Sequence, residues 1–308
     1  MVRDVIEFRN ISKIYQSKPA VSNLTLDIAD GELFVLVGPS GSGKTTSMKM
    51  INRLVEPTDG DTYVRGKRAI EYDLVELRRG IGYVLQNSAL FPNMTIFQNA
   101  GIQLEAAGVP LEQRRQRVYE LLNRVGLPAE QYADRMPNEL SGGEQQRVGI
   151  VRALATKPDI ILMDEPFSAL DPLSRRSLQD LVLELHADLH TTILFVTHDM
   201  SEATRLGNRI GVMYDGVLQQ VGTPTEVTTH PANELVEAMF SERPATMIQA
   251  ILDAGFGEPI TELGDEPQLQ ATDYLAELSK QLIDHPAVVI NGTTKLTVQD
   301  LLQYLAAF

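Results

Sequence analysis

The chain contains no cysteine. That absence excludes a disulfide framework and a thiolate zinc site, and it favours a reducing compartment. No apolar run approaches the ~18–20 residues needed to cross a bilayer, so the chain is expected not to span a membrane by itself. No charged-then-apolar leader opens it, which argues against secretion. Basic charge is scarce as well: 27 Lys and Arg stand against 41 Asp and Glu, a net charge of −14. Broad contact with a DNA or RNA backbone requires a Lys/Arg-rich surface, so no nucleic-acid partner is expected. The acidic balance reads first as solubility.

What is present suffices for a packed protein of more than one domain. The 308 residues are 43% hydrophobic and 22% charged, enough for a main domain over residues 1–240 and a smaller one over 241–308. In residues 1–86, short apolar runs of strand length, "VIEF", "LTLDI" and "LFVLV", are separated by turn signals such as Asp30-Gly31. "LFVLV" (33–37) lacks alternation and reads as a strand buried on both faces. Residues 87–157 read as helical: Val118, Leu121, Leu122 and Val125 fall at i, i+3, i+4 and i+7. From 158 to 240 the β/α alternation returns, with "DIILM" and "TILFVT" as buried strands around a helix, then a hairpin at Asp215-Gly216. The last stretch, 241–308, holds ten acidic against three basic residues. There 255–268 reads as a linker, and two helices near 271–283 and 297–307 flank one strand, "AVVI" (287–290).

"GPSGSGKT" (38–45) fits the phosphate-loop pattern at each fixed position and follows a buried strand. Glycines let backbone N–H groups turn toward phosphate oxygens, the following helix adds its positive end, and Lys44 adds a point charge. Thr45 would offer its hydroxyl to Mg²⁺. This pattern alone says only that a nucleotide binds. "IILMDEP" (160–166) places Asp164 at a strand end as a metal ligand and Glu165 beside it as the general base for a water nucleophile. Gln86 and His198 end two further apolar runs. A lone residue of either type reads equally as an ordinary cap or a solvated side chain.

A second glycine pair, in "LSGGEQQR" (140–147), lacks a lysine but opens a helix that Ser141 would cap. Such a positive end favours an anion without enclosing one, so it suits a site completed by a second copy. Two copies packed head-to-tail would share two sites across one interface.

Taken together, these motifs resemble the ATP-binding cassette (ABC) ATPases, over residues 1–240. The resemblance implies a P-loop NTPase core with an antiparallel β subdomain and a helical subdomain at about 87–157. It implies that Tyr15 stacks on adenine and that Gly38, Pro39, Ser40, Gly41, Ser42, Gly43, Lys44, Thr45 and Thr46 hold the phosphates. Gln86 is then the lid glutamine, with Thr45 and Asp164 a ligand of Mg²⁺; Glu165 is the base and His198 the switch histidine. Ser141, Gly142, Gly143 and Glu144 form the signature, Glu144 standing where glutamine is commoner, and "SALD" with Asp171 crosses the dimer interface.

The segment 87–100, with Phe91, Pro92 and Met94, resembles the groove by which cassette importers receive a helix of their membrane subunit. "MKMINRLVEPTDG" (48–60) and the appended domain resemble ATPase subunits of glycine betaine, carnitine or choline importers. That resemblance implies ATP and Mg²⁺, an ATP-dependent homodimer, integral membrane permease subunits, an extracytoplasmic substrate-binding protein, and a place at the cytoplasmic face of the membrane. Residues 241–308 resemble part of a cystathionine-β-synthase-type module, a small α+β domain expected to aid dimerisation. An importer ATPase for another solute (a polyamine, a sugar or another amine) and a soluble cassette ATPase without a membrane partner remain the competing readings.

Overall fold

A computed structural model describes residues 4–307 apart from 87, 169, 241–247, 261–263, 265, 272 and 274. The readings of Asn87 and Ala169, of the opening of the last domain and of part of the 255–268 linker therefore lie outside the described residues, as do those of Thr272 and Tyr274. The chain divides into two compact units, Met1–Phe240 and Ser241–Phe308.

The first unit begins with β1 (Asp4–Tyr15) and β2 (Lys18–Ala29), then β3 (Leu33–Val37), α1 (Lys44–Ile51), β4 (Asp59–Val64) and β5 (Lys67–Arg68). β1 and β2 form a hairpin whose two turn residues, Gln16 and Ser17, both have positive φ, as a primed turn requires. With β4 and β5 they make an antiparallel sheet in the order β2-β1-β4-β5. After α2 (Leu74–Arg79) and β6 (Ile81–Val84) comes the helical stretch: α3 (Ile96–Ala106), α4 (Leu111–Arg124), α5 (Ala129–Tyr132) and α6 (Gly142–Leu154). The β/α pattern resumes with β7 (Ile160–Asp164), α7 (Pro172–Leu189), β8 (Thr192–Thr197), α8 (Met200–Leu206), β9 (Arg209–Tyr214) and β10 (Val217–Gly222), followed by α9 (Pro224–Thr229) and α10 (Glu234–Phe240).

The central sheet runs β10-β9-β3-β8-β7-β6, with β9, β3, β8, β7 and β6 mutually parallel and β10 antiparallel at the edge. Each residue of β3, β7 and β8 is buried. Their alternate side chains feed two cores. Leu33, Val35, Val37, Ile161, Met163, Ile193 and Phe195 face the helical side with Val118, Leu121, Leu122 and Val125. Phe34, Leu36, Ile160, Leu162, Leu194 and Val196 face the antiparallel sheet with Ile6, Phe8 and Met48. Helices and strands covering both faces explain the unbroken apolar runs. Because the strands are parallel and in register, Val37, Thr197, Asp164 and Val84 all end at one edge.

The second unit differs from the sequence expectation. It has α11 (Ile248–Asp253), β11 (Glu258–Pro259), β12 (Gln268–Leu269), α12 (Leu275–Asp284), β13 (Ala287–Ile290), β14 (Thr294–Thr297) and α13 (Val298–Ala307). Its sheet has four strands in the order β11-β14-β13-β12, with β12 parallel to β13. The stretch read as a linker thus contains β11 and the first residue of β12, and the single expected strand, β13, pairs with β14 on one side and β12 on the other. Leu278, Leu282, Val288, Ile290, Leu296 and Leu301 form a core of its own. Leu278→Ala should remove about 2–5 kcal/mol from this small core. Differential scanning calorimetry should show the unfolding transition of this unit shift down.

Candidate functional site

The site assembles where the parallel strands end, the edge at which open α/β sheets present ligands. β3 delivers the phosphate loop. Gly38 has φ 154°, and a Cβ there would lie 2.0 Å from the Met213 carbonyl oxygen; at Gly43, φ 97°, it would lie 2.4 Å from that of Ala20. Only glycine fits these approaches. The Asp215-Gly216 hairpin turn closes the floor, because Gly216 N–H donates to the Ser42 carbonyl at 3.2 Å. The sequence signalled that hairpin but not its place under the loop.

Lys44 opens α1 and is buried. Its ammonium donates to the carbonyls of Gly38 at 2.7 Å and Pro39 at 2.8 Å, which holds the charge across the loop. Burial lowers its pKa, and the Glu165 and Asp164 carboxylates oppose that shift. Ser42 is buried, Thr45 and Thr46 are half-buried, and Pro39, Ser40 and Gly41 face solvent. The exposed part of the loop is therefore its polar rim.

The Thr45 hydroxyl donates to Asp164 Oδ1 at 2.6 Å, joining the loop to the end of β7. Asp164 Oδ2 accepts from the Tyr83 hydroxyl at 3.3 Å. Tyr83, which sequence reasoning missed, has its phenol pushed above the ordinary range by burial first and by the Asp164 charge second, so it remains a donor at neutral pH. Thr45 and Asp164 together present hard oxygen ligands of the kind Mg²⁺ takes, so the donor set fits that ion.

Glu165 occupies the left-handed region, φ 44°, a strained conformation for a residue with a Cβ. Two features hold it there. Its N–H donates to the Val196 carbonyl at 2.9 Å, and its own carbonyl accepts from Ser168 N at 3.3 Å and Ser168 Oγ at 3.1 Å. The bend aims the side chain at His198, whose Nδ1 lies 2.9 Å from Glu165 Oε2. Gln86 reaches the same cluster by another route, donating to Ser168 Oγ at 3.3 Å. Tyr15 ends β1 with an exposed ring, and the Lys13 ammonium lies 5.0 Å from the ring centre.

The signature residues stand apart. Among the described residues no hydrogen bond or ion pair joins 141–144 to the phosphate loop. Ser141 caps α6, and Glu144 completes a capping box. Ser141, Gly143 and Glu144 line an open cleft of about 240 Å³ with Arg147 and Ser174. Asp171 is exposed and caps α7, accepting from the N–H groups of Leu173 and Ser174. Phe91 and Pro92 are exposed and Met94 half-buried, in a loop braced by buried Asn99, which bonds the Phe91 N–H and the carbonyls of Phe91, Met94 and Thr95. A larger cleft, about 700 Å³, lies near Arg65, Lys157 and His190 at the opposite strand ends and is lined by none of these residues. Chemistry rather than volume identifies the site.

Glu144 accepts from the Tyr132 hydroxyl at 2.6 Å and from Ser141 N–H at 2.7 Å. These bonds, the tyrosine's first, hold its carboxyl below the ordinary value of 4.5. A depressed carboxyl stabilises the fold above its unfolded pKa, and that contribution is lost as pH falls through the lower folded value. Wild type should therefore lose thermal stability below about pH 4.5 more steeply than Glu144→Gln, whose amide does not titrate. Thermal scans from neutral to acid pH read the difference.

The ABC transporter family model matches residues 21–168. The glycine betaine/carnitine/choline transport ATP-binding protein OpuCA of Bacillus subtilis (strain 168) is 47% identical over 280 residues, covering 89% of this chain and 73% of that protein. The choline transport ATP-binding protein OpuBA of the same organism is 51% identical over 234 residues, covering 76% of this chain and 61% of its own length. Among solved structures, the dimeric cassette MJ0796 in a post-hydrolysis state bound to ADP and Pi is 35% identical with a TM-score of 0.65, covering 71% of this chain and 98% of that one. At this identity and coverage the chain belongs to the ABC transporter family, as one of its ATP-hydrolysing subunits.

Proposed function

We propose that the chain energises uptake of a quaternary-amine osmoprotectant of the glycine betaine, carnitine or choline type through separate membrane subunits. The relatives supporting this are named for transport of those solutes. The observation that carries the enzymatic half is the convergence of Lys44, Thr45, Asp164, Glu165 and His198 at one strand edge. In this reading Gly38–Thr46 and Lys44 bind the phosphates, and Tyr15 stacks on the base. Thr45, Asp164 and Gln86 would hold Mg²⁺, which would neutralise phosphate charge when bound. Glu165 takes a proton from the attacking water as that water's oxygen bonds to the γ-phosphorus, and the bond from that phosphorus to the bridging oxygen of ADP breaks. His198, with Nδ1 beside Glu165, is the group placed to hydrogen-bond the γ-phosphate.

Two copies pair head-to-tail in this reading. Ser141, Gly142, Gly143 and Glu144 then complete the partner's site, with Asp171 at the interface. No described helix is long and apolar enough to cross a membrane, which agrees with a peripheral subunit at the cytoplasmic face. The exposed Phe91 and Pro92 are the surface offered to a permease subunit, and an extracytoplasmic binding protein would deliver the solute to it. The 241–308 unit we read as a small domain that aids dimerisation.

Glu165→Gln removes the base while keeping the shape. Its ATP turnover should fall roughly 10²–10⁴-fold, ATP binding should persist, and the ATP-bound protein should elute as a dimer. Pulled down in mild detergent from its native membranes, the same variant should bring a multi-spanning partner and a quaternary-amine-binding protein. Near-normal turnover would remove Glu165 from its role. Recovery of the chain alone would favour an ATPase without a membrane partner.

A further inference from the structure

Helix α6 grips the segment that carries Gln86. β6 ends at Val84, and the carbonyls beyond it lie outside the ladder. Gln146 Nε2 donates to the Leu85 carbonyl at 3.1 Å. Arg152 donates from Nη2 to the Ser88 carbonyl at 2.7 Å and from Nη1 to the Ala89 carbonyl at 2.9 Å. Ser88 Oγ donates to Gln145 Oε1 at 3.3 Å. Between these ties, a Cβ on Gly149 would meet Ser88 at 3.9 Å, an ordinary contact. Positions 145, 149 and 152 share one face of the helix.

The Arg152 guanidinium is an expensive way to make this contact. It is only 8% exposed, and among the described residues no carboxylate pairs with it. Burying an unpaired charge is unfavourable, and an apolar side chain of the same volume would be cheaper for stability alone. The geometry instead matches a constraint on position. One planar group fixes two successive carbonyls, and the second belongs to Ala89, held at φ 45° in the left-handed region.

We propose that Arg152 is a positioning residue for Gln86: with Gln145 and Gln146 it locks Leu85, Ser88 and Ala89 to α6, so that the Ser141 cap of the helix and the segment carrying the glutamine move as one body. A displacement of Ser141 toward a partner's nucleotide then shifts Gln86 against Ser168, its partner at 3.3 Å. The inference rests on Gln86 belonging to the ATP site.

The test is a double-mutant cycle in the full chain, with kcat, KM, nucleotide affinity and Tm measured for Arg152→Met, Gln86→Ala and both together. Arg152→Met should lower kcat about tenfold or more, in line with the roughly 10²-fold effect of an ångström of misplacement, while ATP affinity stays within about twofold. Arg152→Lys, whose ammonium reaches one carbonyl, should recover part of the loss. In the Gln86→Ala background, Arg152→Met should add no further loss, because the two residues act through one step. Undiminished kcat in Arg152→Met, or losses that multiply in the double variant, would overturn the proposal. Should Arg152→Met fail to fold, Gln146→Leu removes the tie to Leu85 without touching a charge, and the same two outcomes decide. Wild type and Glu165→Gln run in parallel separate the two failures. Normal turnover by Glu165→Gln sinks the site itself; an inactive Glu165→Gln beside an unaffected Arg152→Met sinks only the positioning role.

Discussion

The hydrogen bond from Thr45 to Asp164, 2.6 Å between residues 119 apart in sequence, is the contact on which the site depends. It fixes the start of α1 against the end of β7, and the distance can be met only if β3 and β7 both lie beside β8 in register. That register is imposed from below. Alternate side chains of each strand enter two separate cores, so a one-residue slip would exchange every partner on both faces. Hydrophobic packing of the sheet thus sets the spacing of the polar groups at its edge, and the polar groups contribute little to holding it.

This division explains what the sequence made legible. Strands buried on both faces appear as unbroken apolar runs, so "LFVLV" and "TILFVT" match β3 and β8 residue for residue. Helix α6 announced itself through Ser141, and the hairpin through Asp215-Gly216. The place of Asp164 and Glu165 was legible because two acids close an apolar run there. Less legible were polar residues that turn inward. Asn99, Gln146 and Arg152 look like surface positions on helices, yet all three are buried. Their reason is tertiary: loop carbonyls outside the ladder need donors, and no local pattern says which loop a helix will meet. In the second unit, strands of two residues have no period to detect, so a stretch rich in glycine and acid read as a linker.

Strain in the site follows the same logic. Glu165 sits in a left-handed conformation that disfavours any side chain, but its neighbours over-determine it. The Val196 carbonyl takes its N–H and Ser168 satisfies its carbonyl with two donors. Ser168 also receives Gln86, so the strained Glu165, the histidine beside it and the glutamine share one short polar chain. A shift of any of them is felt by the others.

The charge balance at this strand edge does not by itself favour a polyanion. Lys44 is the cation of the loop, and two carboxylates, Asp164 and Glu165, stand close enough to act on its ionisation. Counted alone, the cluster is net negative before any phosphate arrives, and the dipole of an eight-residue helix offsets about half a charge. In a partly buried site, where screening is weak, adding a triphosphate to that balance is unfavourable. In the reading proposed above, a divalent ion on Thr45 and Asp164, whose hard oxygen donors suit it, would offset that charge.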